Sequence, residues 1–356
     1  MESVFGSDIA FLVAWWTGAA CIALVFFLMI EILFLRTLLI FRNRRITLLH
    51  EKWEPVLVET LERIPEILPS APSRRNAFEF LLLWNHMQES LRMGEAGERL
   101  AAVAHRLLIN QRALAMLDSR SLRTKLLAIQ TLGYLKEGNA WDKLFLISRS
   151  CDPVLSLCAA RALMRIDKEA ALPSLLPELA SREDWSLTIV GAMLKEAGAD
   201  TISEPLARAV LLIPECQAPR MLRFLELAHS PAAAVAVRQL IARTTDLETI
   251  TACLRILQDP EDLPIVRKFL KDGQWQIRLQ AAVCLGRMGT IDDVPSLSHA
   301  CGDLEWWVRY RAAQSLADLP FILPEKLKEI ADQHQNEFGR DIISQVIAER
   351  EVTNHV

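Results

Sequence analysis

Glycine is scarce in this chain, at 13 of 356 residues. Few loops are therefore suited to cradling a phosphate or cofactor, because close backbone approach to such groups relies on glycine. The GxxxxGK phosphate loop, the dinucleotide fingerprint GxGxxG, the zinc-protease motif HExxH and the nucleophile elbow GxSxG are all missing. The seven histidines (His50, His86, His105, His229, His299, His334 and His355) follow no metal-ligand rhythm, and no Cys/His spacing suits zinc. We therefore expect no cofactor, no metal and no catalytic centre built from a recognised motif. The seven cysteines (Cys21, Cys151, Cys158, Cys216, Cys253, Cys284 and Cys301) are odd in number and form no CxxC pair. Several fall at small or apolar helical positions, which predicts buried free thiols in a reducing compartment. Basic excess is missing too. Net charge is −4, and beyond residue 45 the chain carries 36 basic against 41 acidic residues. That balance excludes sequence-independent nucleic-acid binding, which needs a basic footprint. No stretch alternates with period two long enough for a sheet.

Hydrophobic residues are plentiful, at 51% with a mean hydropathy of +0.19. The excess sits at the start. Ile9 to Ile30 is 22 residues without a formal charge. As a helix it is about 33 Å long, enough to cross the hydrocarbon core of a bilayer. Arg42, Arg44 and Arg45 follow it, while only Glu2 and Asp8 precede it. The positive-inside rule then places the N-terminus outside and the rest in the cytoplasm, as a single-pass inner-membrane protein. A cleaved signal peptide would need a basic leader and a shorter apolar core, and the chain has neither. A second apolar run, Ile32 to Phe41, is broken only by Arg36 and Thr37. Glu31 stands between the runs, and burying it would cost about 2.5–3.5 kcal/mol on insertion scales. It is either solvated at the cytoplasmic edge or in contact with a partner's membrane helix. Ala14/Gly18 and Ala19/Ala23, each four apart, would let such a helix approach closely.

Farther along, apolar residues recur at a nearly constant step. Leu132, Leu163, Leu194, Leu225 and Ile256 are 31 residues apart, followed by Leu285 after 29 and Leu316 after 31. Four residues before each stands a second rung: Ala128, Ala159, Val190, Met221, Ala252, Ala281 and Ala312. A fixed period of this size marks stacked units that bury one another's apolar faces. Each unit from Ser119 onward reads as helix, turn, helix. Pro173, Pro205, Pro264, Pro295 and Pro324 stand where the second helices should begin, as proline's preference for the first turn predicts. Residues 46–118 read as helices out of register (Trp53–Ile64, Arg74–Leu91 and Glu95–Leu117) and are expected to cap the stack.

One pattern occurs twice: Asp272, Ile277, Arg278, Ala281, Ala282, Leu285 and Gly286, then Asp303, Val308, Arg309, Ala312, Ala313 and Leu316. Over roughly residues 119–335 the chain resembles HEAT repeats, specifically the short HEAT-like units named after phycobilisome lyases. The resemblance implies an Asp/Arg ladder along the stack, making those Asp and Arg residues structural. The middle units depart from the pattern. At 184–196 Asp184, Trp185, Val190 and Leu194 survive without an arginine at the ladder position. The unit at 216–228 keeps little beyond Met221 and Leu225.

The expected architecture is all-α: an α-solenoid of HEAT-like helical hairpins preceded by one transmembrane helix. Residues 1–45 form the anchor, 46–118 the cap and 119–356 the solenoid. The function it suggests is a scaffold that binds a protein partner, a membrane protein or complex, and holds the bilayer through its N-terminal helix. An accessory role in envelope-polysaccharide synthesis or secretion is one such task. The same resemblance also implies an alternative, a lyase-type enzyme or chaperone handling a tetrapyrrole. Candidate partner-binding residues are Glu31 and Gly18 on the anchor and the adjacent Trp306 and Trp307, of which one helix face cannot bury both. Arg238, Arg267 and Lys271 complete the set, on second helices that would line a weakly basic inner groove for an acidic peptide.

Overall fold

A computed structural model describes residues 2–91, 94–228 and 231–354, with side chains of the first helix described at 15–18 and from 24 onward. Among the described residues every regular element is helical and none is a strand. The chain divides into two compact units, Met1–Ala140 and Trp141–Val356.

The first unit holds α1 (Glu2–Glu62), α2 (Ala77–Ser90), α3 (Glu95–Arg106), α4 (Ile109–Met116) and α5 (Leu122–Tyr134). At 61 residues, α1 is about 90 Å long, and it runs from the apolar segment into the polar one without a break. From residue 24 to 45 it is exposed on every face. Then Leu49, Trp53, Leu57 and Thr60, at helical spacing, form a buried stripe. They pack into a core with Phe80, Leu81, Trp84, Leu100, Val103 and Ile109. Trp53 meets Phe80 edge-on at 4.8 Å, and Arg99 donates to the Leu61 carbonyl at 3.2 Å, serving an orphan acceptor at the end of α1. The single helix expected over 95–117 is two. Leu108 adopts a left-handed conformation (φ 54°) between α3 and α4, a turn that lets Leu100, Val103, Ile109 and Ala113 all bury.

The second unit is an α-solenoid. Its helices are α6 (Trp141–Ser148), α7 (Pro153–Ile166), α8 (Lys168–Ser181), α9 (Leu187–Ala197), α10 (Ala199–Leu212), α11 (Ala218–Leu225), α12 (Pro231–Ile241), α13 (Leu247–Ile256), α14 (Leu263–Phe269), α15 (Trp275–Met288), α16 (Val294–Ala300), α17 (Trp306–Asp318), α18 (Pro324–Gln333) and α19 (Glu337–Asn354). First helices stack on first helices, α11 on α13, α13 on α15, α15 on α17, and α19 closes the row against α17. The rungs Leu163, Leu194, Leu225, Leu285 and Leu316 are fully buried, as is Leu132 in the first unit.

Ile256 is an exception. It is only half-buried, and Cys253 and Leu257 take the rung positions instead. N-caps give the reason. Leu132, Leu163, Leu257, Leu285 and Leu316 each lie 11 residues past the cap of their helix. Leu194 and Leu225 lie only 8 past theirs, Ser186 and Gln217. The first helix α9 has therefore lost about one turn at its N-terminal end. In α11 that turn is a 3₁₀ one, Glu215–Gln217, whose cap Pro214 again lies 11 residues before Leu225. An even sequence step masked a change of helix length followed by a one-residue slip.

Two expectations about prolines and cysteines need correction. Pro173 and Pro205 lie inside α8 and α10. Asp167 caps α8 early, its carboxylate accepting from the N–H groups of Glu169 and Ala170 at 3.0 Å, so the helix begins before the proline. Only Pro264, Pro295 and Pro324 occupy a first turn. Among the cysteines, Cys253, Cys284 and Cys301 are buried, but Cys151 and Cys216 are exposed. Burial pushes the Cys158 thiol up to about 11 and the Cys253 thiol up to about 12. The side chain of Cys21 lies outside the described residues.

Candidate partner-binding surfaces

On α1, Gly18 and Glu31 are both exposed, and nothing lies within 4 Å of where a Gly18 Cβ would stand. Leu24 to Phe41 presents an exposed apolar surface interrupted by Glu31, Arg36 and the hydroxyl of Thr37, which bonds back to the Leu33 carbonyl at 2.7 Å. Ala14, Ala19 and Ala23 have side chains outside the described set.

In the second unit the Asp/Arg ladder is present. Arg278 grips Asp303 of the following repeat through Nε and Nη2, both at 2.8 Å. Its Nη1 donates to the Asp272 and Gly273 carbonyls at 2.9 and 3.1 Å. Burial pushes the Asp303 carboxyl up, but the Arg278 hydrogen bonds, the Glu305 N–H and the charges of Arg278 and Arg309 hold it below the usual range. Arg309 repeats the carbonyl bonds, to Asp303 and Leu304, and then meets no next aspartate. Its guanidinium lies 5.1 Å from the Phe338 ring instead.

A second ladder runs between second helices, and it uses two of the expected site residues. Arg238 donates to Asp262 at 2.5 Å and to Asp259 at 2.9 Å. Arg267 donates to Asp293 at 2.6 and 3.1 Å. Asp262 and Asp293 cap α14 and α16 and are 0% and 1% exposed. Buried carboxylates need such partners. The signal was readable as Asp-Leu-Pro and Asp-Val-Pro 31 residues apart. Other second-helix cations are also engaged: Arg149 with Glu178, Arg208 with Glu204, Lys326 with Glu329 and Lys328 with Glu351. The acidic partners of these cations come from both their own and neighbouring repeats, so counting charges within each segment overstated the net basicity.

The middle repeats replace the ladder. Arg182 pairs with Asp184 through two bonds of 2.7 Å and reaches back to the Ser150 carbonyl and Ser156 hydroxyl at 2.8 and 3.0 Å. The buried indole of Trp185 donates to the same hydroxyl at 2.9 Å. Arg220 donates to the Leu179 and Trp185 carbonyls at 2.9 and 3.0 Å. Glu196 binds Arg161 and Arg165 across α7 and α9.

Lys271 is exposed and, among the described residues, makes no ion pair. It lines an open cavity of about 470 Å³ with Arg278, Ser296, His299 and Asp303. Trp306 and Trp307 stand at the start of α17, 41% and 54% exposed, so neither is a core residue. Their rings meet edge-on at 4.8 Å, and Trp306 stacks on Tyr310 at 5.1 Å. Tyr310 donates to Glu349 of α19 at 2.9 Å. Leu304, 96% exposed, and Phe338 extend the surface. Among the described residues no group of three His, Cys, Asp or Glu side chains could hold a metal ion.

No curated protein matches the chain. A solved structure described as an engineered protein of the Northeast Structural Genomics Consortium is similar at 15% identity, over 81% of this chain and 86% of that one, with a TM-score of 0.36. Similarity at that level does not bear on function. Residues 224–317 match the family model described as HEAT repeats. That matched stretch covers both ladders and the slip at Ile256.

Proposed function

We propose that this protein is a membrane-tethered HEAT-repeat adaptor. α1 crosses the inner membrane with the N-terminus outside, and the repeats meet a partner protein, a membrane enzyme or transport complex, at the cytoplasmic face. One observation carries the reading. From Leu24 to Phe41 every side chain of α1 is exposed, in a chain whose two units each have a buried core. An apolar surface of that extent is not left to water. The partner surfaces are Glu31 on α1, the Trp306–Trp307 pair and the cavity beside Lys271. An accessory role in envelope-polysaccharide synthesis or secretion suits such a placement.

Purification in a mild detergent followed by mass spectrometry of co-eluting proteins tests the adaptor role. One stoichiometric membrane partner is expected. Recovery of a clean monomer under several detergents would contradict it.

A further inference from the structure

The apolar surface of α1 is longer than one bilayer needs, and its register is set by its ends. Trp15 and Trp16, 67% and 68% exposed, mark one end, and exposed Arg42, Arg44 and Arg45 mark the other. From Trp16 to Arg42 the helix rises about 39 Å. A bilayer with its headgroup layers is roughly 40–45 Å thick. Tryptophan favours the interface and arginine clusters favour the cytoplasmic headgroups. A span over Ile9–Ile30 satisfies neither. It sinks both tryptophans well inside the hydrocarbon and leaves Ile32, Leu33, Phe34, Leu35, Leu38 and Leu39 in water on all faces. The buried stripe that would cover them begins only at Leu49.

We infer that the bilayer covers α1 from Gly18 to Phe41, and that Glu31 is an intramembrane carboxylate. The inference rests on the reading of α1 as membrane-embedded and fixes its depth. Glu31 then lies about 16 Å from the level of Arg42 and about 22 Å from that of Trp16. Arg36, about 9 Å from Arg42, reaches the headgroups by extending its side chain. Glu31 has no such route and, among the described residues, makes no ion pair. A carboxylate at that depth is held by another membrane helix. Glu31 is therefore the contact point within the membrane, and Gly18 lies at the outer edge.

Single cysteines test the register in the full chain carrying Cys21→Ser, Cys151→Ser and Cys216→Ser. Labelling is read at the introduced cysteine alone by peptide mass spectrometry, because Cys158, Cys253, Cys284 and Cys301 become reactive in dodecyl sulfate. Leu12→Cys, Leu28→Cys, Leu35→Cys and Leu39→Cys are each reconstituted into phosphatidylethanolamine–phosphatidylglycerol vesicles. A charged maleimide is admitted to both sides. Hydrocarbon suppresses the reactive thiolate, so positions 28, 35 and 39 are expected to label roughly tenfold or more slowly than in dodecyl sulfate. Position 12 should label equally in both. Protection at 12 with labelling at 39 overturns the register, and so does protection at all four. Failure of the protein to float with the vesicles would instead reject the membrane reading itself.

Discussion

At Gly286 a Cβ would stand 2.7 Å from the Cβ and Oγ of Ser315 and 2.9 Å from its Cα. Backbone cannot yield as a side-chain tip can, so α15 and α17 must separate to admit even alanine. Gly286→Ala is expected to destabilise the protein by about 1–3 kcal/mol, read as an earlier urea midpoint. Asp303 has a depressed folded-state pKa, so the unfolded chain binds its proton at higher pH than the folded one does. Its contribution is complete above the ordinary aspartate range, near 3.8, and is lost as pH falls through the lower folded value. Asp293 and Glu196 act in the same direction: burial raises each, but Arg267 and Arg165 respectively outweigh it. Asp303→Asn should therefore cost about 1.5–3 kcal/mol at neutral pH. The gap from the native protein should narrow as pH is lowered below 3.8, in denaturant melts run across that range. Arg267 and Lys271 separate structure from surface. Arg267→Ala strands buried Asp293 and should cost about 2–3 kcal/mol, whereas Lys271→Glu should leave stability within about 0.5 kcal/mol. Equal melting curves for the two variants would refute the second ladder.

At the scale of elements, stacking was legible because burial follows the 31-residue step on six of seven rungs. The Ile256 slip was not, since an isoleucine and a leucine side by side give the same apolar signal in either register. The shortened α9 was hidden for a related reason: the loop before it absorbs the lost turn and preserves the spacing, as the 3₁₀ turn does before α11. Among site residues, Arg238 and Arg267 read as free cations because their aspartates lie one repeat ahead. Only folding brings the 24- and 26-residue separations together. The exposure of Trp306 and Trp307 was half legible, since adjacency on a helix forbids burying both. The solenoid's end at α19 leaves both open instead of one. Trp307→Ala should cost less than about 1 kcal/mol of stability. If the pair anchors the partner, the same change should weaken partner capture by roughly tenfold or more, and unaltered capture would remove that surface from the account.

For the molecule as a whole, the two units supply different things. The second is a rigid stack whose Asp/Arg bonds hold the faces between rungs in place, a surface that needs little ordering on binding. The first joins its own core to a helix that is exposed on every face from residue 24 to 45. That contrast points to membrane attachment through α1. Alkaline carbonate extraction of membranes containing the full-length protein tests it most directly. The protein is expected to stay with the sedimented bilayer as an integral component. Quantitative release into the supernatant would contradict it.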